Sequence, residues 1–389
     1  MRILHWYPNF LGGGGVANAV LGLAKAQAEL GAEVAIACAV MQGPPLYQPM
    51  ENLLGNILIF RWRPKWKFKL GNLMWRQIPE EYMEQMRKFN PDVVQIHGEF
   101  NPDNWHVPKI FNAPIILSPH GAFHPVVLKK SKPKLKVLYV RVTKHFLYRH
   151  VCAFHALSPA EAEHIQALLG HVNVYTLPQG ASLHVAQSFD SLKHREQSSE
   201  EVRFIFVGRL DIYTKGLDIL LEAFAEAAQA LPERNIHLTL VGPDWKGSLV
   251  ILKEMAYKLG CGNRVTFTGA IPGEQMAKIL AQSDVYVHLS RHEGLSLSIT
   301  EALLTGKPAI LSKEIGLVSY AEIASLPHVK VISPEKEEAV SAIVQFAKKL
   351  PELKIDASTH QEKLREFFDW RKIAKEHLKY YECIVKRNS

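Results

Sequence analysis

Short apolar runs of strand length alternate with stretches of helical periodicity along almost the whole 389-residue chain. That alternation constrains the fold more than any other feature, because βα units build mostly parallel sheets. In the first half the strand-like runs are residues 3–4, 33–40, 56–60, 93–96, 114–117 and 153–157. Between the first two, Val20, Leu23, Ala24, Ala28 and Leu30 recur at helical spacing until Gly31. Residues 183–201 turn polar and lose periodicity, as expected of a linker. The alternation then restarts, with strands predicted over 202–207, 236–241, 265–267 and 285–289 and helices over 216–230, 249–259 and 274–282. A last amphipathic pattern over 367–381 carries Trp370, Ile373, Ala374 and Leu378 on one side. The chain is too long for one ordinary core, so two consecutive doubly wound α/β domains are predicted. They are residues 1–182 with 368–389, and residues 202–367.

Open parallel sheets bind ligands beyond the carboxyl ends of their strands. The stretch after the 285–289 run, Arg291-His-Glu-Gly-Leu-Ser-Leu-Ser-Ile-Thr-Glu301, therefore reads as a phosphate and sugar cradle. Backbone N–H groups around Leu295 to Leu297 would point out of the helix start, where the macrodipole adds partial positive charge. A purely structural reading competes. Ser298-Ile-Thr-Glu301 has the form of a capping box, which alone would explain Glu301. Upstream, Val207-Gly-Arg209-Leu-Asp-Ile-Tyr-Thr-Lys215-Gly216 places two cations over the same crevice. Preorganised Arg and Lys stabilise the charge that develops on a departing diphosphate. The chain has no Asp-x-Asp, so no metal and no resident cofactor are expected.

Gly12-x-Gly14-x-x-Ala17 formally meets the dinucleotide fingerprint and makes an NAD(P)-dependent oxidoreductase an alternative. Trp6 to Leu11 intervene after the strand, however, and Val40-Met-Gln-Gly at the end of the second strand offers no acid for a ribose. A glycine surface for close ligand approach remains, beside the plain reading of a turn.

Taken together, the chain resembles the retaining glycosyltransferases of family four, with two Rossmann-like domains in the GT-B arrangement. The motifs that carry the likeness are the Gly12 to Gly15 loop, Ser118-Pro-His120-Gly121, Gly208-Arg209-Leu210 through Lys215-Gly216, Leu240-Val-Gly242-Pro243, Phe267-Thr-Gly-Ala-Ile271-Pro272 and the Glu293 to Glu301 pair. The resemblance implies a central cleft between the domains and a C-terminal helix crossing back to the first. It implies that Arg209 and Lys215 hold the diphosphate of a sugar nucleotide, which is the co-substrate. Gly294, Leu295, Ser296 and Leu297 would bind phosphate and sugar, and Gly14, Gly15 and Gly242 would line the donor site. Glu301 would bond the ribose and Glu293 the ring hydroxyls of the sugar, with Ile271 near the base and His120 near the sugar's outer hydroxyl. Catalytic roles thus fall to Glu293, His120, Arg209 and Lys215. The chain departs from the family pattern at Pro178-Gln179-Gly180 and around Gly316. UDP-glucose is the first expectation for the donor and GDP-mannose the second. A glycosidase is set aside because it needs no cationic cradle for a diphosphate, and a noncatalytic nucleotide or polysaccharide binder stands as a further alternative.

The net charge of +8 sits almost wholly on the first half. Residues 129–149 hold eight Lys or Arg and no acid, with Leu138, Val142, Phe146 and Leu147 on one predicted helical side. Residues 61–69 interleave five cations with three aromatics. Both patches fit an anionic membrane surface or a lipid-linked acceptor, against the plain reading of a solvated face. No nucleic acid is expected as a partner, since no nucleic-acid-binding module is present. Cys38, Cys152, Cys261 and Cys383 are scattered and the opening residues lack a leader pattern. The expectation is a cytoplasmic, bacterial enzyme of exopolysaccharide synthesis, peripheral on the inner face of the plasma membrane.

Overall fold

The computed structural model describes residues 1–40, 55–70, 73–129, 132–181, 201–271 and 273–388. The chain divides into two compact units, Met1–Gly180 with Phe368–Ser389, and Ala181–Phe367. The predicted linker 183–201 lies outside the described residues except for Glu201, which already begins a strand.

Unit 1 is built on a parallel sheet of β1 (Arg2–Trp6), β2 (Glu33–Ala39), β3 (Leu58–Trp62), β6 (Val93–His97), β7 (Ile115–Ser118), β8 (Val151–Ala156) and β9 (Val174–Thr176). Their order is β3-β2-β1-β6-β7-β8-β9, so the sheet reverses direction of winding between β1 and β6. β4 (Lys67–Leu70) and β5 (Leu73–Arg76) form a separate antiparallel pair that the sequence reading missed. The strands read as continuous apolar runs because both faces are covered. Leu4, Trp6, Val94, Ile96 and Leu117 face one core, where Trp6 stacks on Trp62 at 4.9 Å. The alternate residues face the other side, and there His5 lies opposite Gln95 and His97 opposite Ser118, all buried.

The C-terminal helix Trp370–Asn388 belongs to this unit and packs on the helix Gly15–Glu29 through Ala374, Leu23 and Ala26. Trp370 fills the space over two glycines. A Cβ on Gly22 would lie 2.5 Å from its ring, and one on Gly180 would collide with it as well. Glycine is required at both positions for packing rather than for turning.

Unit 2 repeats the plan with β10 (Glu201–Val207), β11 (Asn235–Val241), β12 (Val265–Gly269), β13 (Val285–His288), β14 (Ala309–Ser312) and β15 (Val329–Ile332). The order is β12-β11-β10-β13-β14-β15, with the reversal between β10 and β13. Its core joins Phe204, Phe206, Leu238, Leu240, Val285 and Val287 to the helix Leu217–Ala230. β14 and β15 extend the pattern beyond the strands expected from sequence. Among the described residues no helix is long and apolar enough to cross a membrane.

Candidate functional site

In each unit the functional groups collect at the carboxyl ends of the strands flanking the reversal, the place where doubly wound sheets bind ligands. In unit 2 these ends belong to β10 and β13. After β10 the chain passes Gly208 and Arg209 into the short helix Ile212–Lys215, capped by Asp211, whose Oδ1 accepts from Thr214 N at 3.1 Å. Gly216 then turns left-handed with φ 63°, and any side chain on it would collide with the Leu289 carbonyl. This close approach sets Lys215 beside the loop that follows β13. There Lys215 Nζ pairs with Glu293 Oε2, both largely buried.

Glu293 is fixed at its backbone as well. Its N–H donates to Glu314 O at 3.2 Å and its carbonyl accepts from Gly316 N at 2.9 Å. Burial pushes its carboxyl pKa up, but the Lys215 ammonium more than reverses this and leaves it at about 2. His288, fully buried, stands 3.8 Å from the same carboxylate oxygen, too far for a hydrogen bond, and burial holds its pKa at about 4. The site thus presents a neutral imidazole, a carboxylate and an ammonium together. Neighbouring Arg291 is bound to Asp218 through two 2.8 Å bonds, which anchors the loop to the helix Leu217–Ala230.

Glu301 is different. The helix Leu297–Leu304 has Ser296 as its N-cap residue, without a side-chain cap. Ser298 lies inside the helix and donates to Val207 O at 2.9 Å. The capping box read from Ser298 to Glu301 is therefore not formed, because Ser298 is drawn to the end of β10 instead. The Glu301 carboxylate accepts no hydrogen bond from the described residues, and burial alone raises its pKa to about 7. Gly294, Leu295, Ser296 and Leu297 lead into that helix, with Leu295 buried and the other three half-buried.

Arg209 lies 4.0 Å over the Trp245 ring and 3.7 Å from Asp211, with its head still 44 % exposed. Gly242 carries a packing reason of its own, since a Cβ there would collide with the Gly208 carbonyl. Ile271 lies in the loop after β12 and is half-buried.

His120, Gly14 and Gly15 belong to unit 1. A 3-10 turn, Phe10–Gly12, separates β1 from the helix that Gly14 caps, so the tight strand-to-helix turn of a dinucleotide fingerprint is absent. No Cβ contact constrains Gly14 or Gly15, which leaves open space around both. His120 follows β7 in left-handed conformation, φ 54°, in a pocket shared with Tyr7, Asn9, His97, Glu99 and Asn101. Glu161 holds its loop, accepting from Gly121 N at 2.6 Å and from Leu157 N at 2.8 Å. Glu99 escaped the sequence reading altogether. Its carboxylate oxygens are buried, and burial raises its pKa to about 7 against the Tyr139 and Tyr148 hydroxyls. No motif announces it; the only trace is an acid just beyond an apolar strand.

The two basic stretches are only partly as expected. Lys130 and Ser131 lie outside the described residues. In the helix Pro133–Phe146 the buried positions are Tyr139 and Thr143, whereas Leu138 and Phe146 are exposed. The apolar side expected from sequence is thus split: Leu138 faces out and Val142 is half-buried, while Leu147 is fully buried and Phe146, although half exposed, stacks on the Trp105 ring that Tyr139 and Thr143 also meet. On the other stretch Trp62 is buried while Trp66 and Phe68 are exposed.

Two family descriptions match end to end. Residues 13–184 match Glycosyltransferase Family 4, and residues 189–361 match Glycosyl transferases group 1. An uncharacterized glycosyltransferase of Methanocaldococcus jannaschii is 26% identical over 271 residues, covering 68% of this chain and 67% of its own. Among solved structures, sucrose-phosphate synthase from Thermosynechococcus elongatus superposes with TM-score 0.75 at 19% identity over 100% of both chains. Anabaena HepE in complex with UDP-glucose does so with TM-score 0.74 at 18% identity, over 98% of this chain and 100% of its own. Fold and family matches together define the class: the chain is a glycosyltransferase of GT-B architecture. Within that class it is a family-four-like protein.

Proposed function

We propose that the chain moves a hexose, with retention of anomeric configuration and without a metal, from a nucleotide-diphosphate sugar to a glycan or lipid-linked acceptor in polysaccharide synthesis. The observation that carries this reading is the Lys215–Glu293 pair, which joins the segments that follow the two strands flanking the reversal of unit 2, with Arg209 on the first of those segments and Glu301 in the helix after the second. Arg209 and Lys215 hold the diphosphate, and the backbone N–H groups from Gly294 to Leu297 meet its oxygens and the sugar. Glu293, ionised with a pKa of about 2, accepts from ring hydroxyls of the sugar. Glu301 accepts from the ribose, Ile271 lies by the base, and Gly14, Gly15 and Gly242 let the donor approach backbone closely. His120 meets the outer hydroxyl of the sugar. In the reaction the bond from C1 to the diphosphate breaks, the acceptor oxygen bonds C1 on the same face, and its proton passes to the departing phosphate oxygen. A low pKa makes Glu293 a positioning anion, unsuited to supply a proton.

UDP-glucose is the first donor to try, since HepE is held with it, and GDP-mannose is the second. Transfer and hydrolysis assays with uridine, guanosine and adenosine diphosphate sugars test the reading. Turnover of UDP-glucose to a product of unchanged anomeric configuration is expected. Inversion would overturn retention, and inertness to the whole panel would overturn the enzyme reading.

The acceptor is taken to be presented at the inner face of an anionic membrane. Trp66 is 51% exposed, Phe68 58% and Leu138 56%, each among Lys and Arg. Apolar side chains held in water among cations match an interfacial anchor. Sedimentation with phosphatidylglycerol vesicles should capture the protein at low salt and release it at high salt. Failure to bind at low salt removes the membrane from the proposal.

A further inference from the structure

Unit 1 buries a row of polar side chains on the sheet face beneath the helices Gly15–Glu29 and Trp370–Asn388, where an apolar core would ordinarily lie. His5, Gln27, Gln95, His97, Ser118, His155 and Tyr381 are each 3% exposed or less. Such a row is costly unless every member is bonded, and these are bonded in one continuous series.

The direction of every bond follows from one end. His155 Nε2 lies 2.9 Å from the Leu177 carbonyl, which can only accept, so Nε2 carries the proton. A neutral ring then has a bare Nδ1, and the Ser118 hydroxyl donates to it at 2.9 Å. Ser118 Oγ must in turn accept from the Gln95 amide nitrogen at 2.8 Å, which turns Gln95 Oε1 toward the Tyr381 hydroxyl. With Tyr381 donating there, its oxygen accepts from Gln27 Nε2 at 3.5 Å, and Gln27 Oε1 faces His5. His5 Nε2 donates to that oxygen at 2.8 Å. His5 Nδ1 accepts from His97 Nε2 at 2.9 Å, and His97 Nδ1 accepts from His120 Nε2 at 3.0 Å. Burial keeps the rings neutral, lowering His5 and His155 to about 4 and His120 to about 3.

We propose that this series, polarised from the Leu177 carbonyl, holds His120 as its Nε2–H tautomer and presents Nδ1 to the pocket as a bare acceptor for a ligand hydroxyl. That the hydroxyl belongs to the transferred sugar rests on the function proposed above. His155, Ser118, Gln95, Tyr381 and Gln27 are then positioning residues, and the C-terminal helix acts on the pocket through one hydroxyl. A histidine of the opposite tautomer would donate from Nδ1 and favour a different arrangement of partners.

The full chain carrying histidine labelled at both ring nitrogens tests this by NMR, with His120 assigned by subtracting the His120→Gln spectrum. Ligand-free protein should show a protonated Nε2 and an unprotonated Nδ1 at neutral pH; the reverse tautomer or an imidazolium overturns the proposal. Tyr381→Phe cuts the series between Gln95 and Gln27 and should give a mixture of His120 tautomers. Ser118→Ala would not cut it, since Gln95 Nε2 also lies 3.4 Å from His155 Nδ1, but Gln27→Leu cuts it beside His5 and should do the same, so a fold lost in one variant leaves the other. An unchanged single tautomer in a folded variant overturns the relay. Adding UDP-glucose to wild type should move the Nδ1 resonance. Bound donor with Nδ1 unmoved overturns the hydroxyl contact, whereas no donor binding overturns the donor reading and leaves the tautomer as measured without ligand.

Discussion

The Lys215–Glu293 pair of unit 2 and the buried histidine row of unit 1 both gather polar groups against a parallel sheet, yet they solve burial in opposite ways. Unit 2 keeps charge: Lys215 neutralises Glu293 and holds it at about 2 despite burial. The histidine row of unit 1 removes charge, although the same unit also buries the Arg76–Asp103 ion pair elsewhere: His5, His97, His120, His155 and His377 are all pushed down by burial and bonded as neutral rings or packed against them. Glu301 supplies the control within unit 2. It lies in the helix that follows the Glu293 loop but pairs with no cation among the described residues, and its pKa rises to about 7. What decides the charge of a buried group here is the partner within reach, and burial only sets how much that partner matters.

The largest effect should come from breaking the ion pair. Lys215→Ala leaves a buried carboxylate uncompensated, an expected loss of about 3 kcal/mol in urea unfolding. Donor affinity should fall about 100-fold, since a charge-assisted contact to the diphosphate disappears with it. Adding Glu293→Gln to Lys215→Ala should restore stability but not affinity. A single variant as stable as the parent would mean that the pair contributes nothing and that unit 2 resembles unit 1 after all.

Acid should separate the units next. A histidine neutral in the fold and free in the unfolded chain costs no stability well above its ordinary 6.5, and the cost grows as pH falls toward the folded value of about 4. Unit 1 carries six rings held below 6.5 by burial, the five named above and His106, against His288 and His328 in unit 2. Glu99 in unit 1 and Glu301 in unit 2, both carboxyls raised to about 7, work the other way as pH falls from there to their ordinary 4.5, and because each unit has one, the histidines decide the difference. Hydrogen exchange compared between about pH 7 and about pH 5 should therefore show β1 and β6 losing more protection than β10 and β13. Equal losses would break the contrast.

The same contrast explains what could be read in the sequence. Parallel strands covered on both faces leave apolar runs, so β1, β2, β6, β7, β10, β11 and β13 were visible. β4 and β5 were not, because Lys67-Phe-Lys-Leu70 lies exposed and carries no core pattern. The charged site was legible because Arg209, Lys215, Glu293 and Glu301 lie in short motifs on the loops after strands and the helices that follow them, although their pairing was not. The neutral series was invisible. His5 and His155 sit singly within apolar strands and Gln95 and His97 share a third, and only the sheet register brings them into one row. The competing capping-box reading of Glu301 rested on a local pattern, the four residues from Ser298, which lost to a longer-range bond from Ser298 to Val207.

The smallest expected effect is also the sharpest test of Glu301. Two ribose hydroxyls can both donate to a carboxylate but not to a protonated carboxyl, so donor binding should favour the ionised form. With a free-protein pKa of about 7, affinity for UDP-glucose should rise as pH increases through that value and level off above it. The sugar nucleotide, a diphosphate diester, has no titration of its own there. Glu301→Gln should lose about tenfold in affinity at alkaline pH, the worth of one charge-assisted bond, and should flatten the pH dependence. Calorimetric titration across that range measures both. A Glu301→Gln variant that keeps the parent's pH dependence would move the titrating group elsewhere, with His288 set aside by its pKa of about 4. It would also leave the unpartnered carboxyl of unit 2 without a ligand, and the charged site would then end at Lys215 and Glu293.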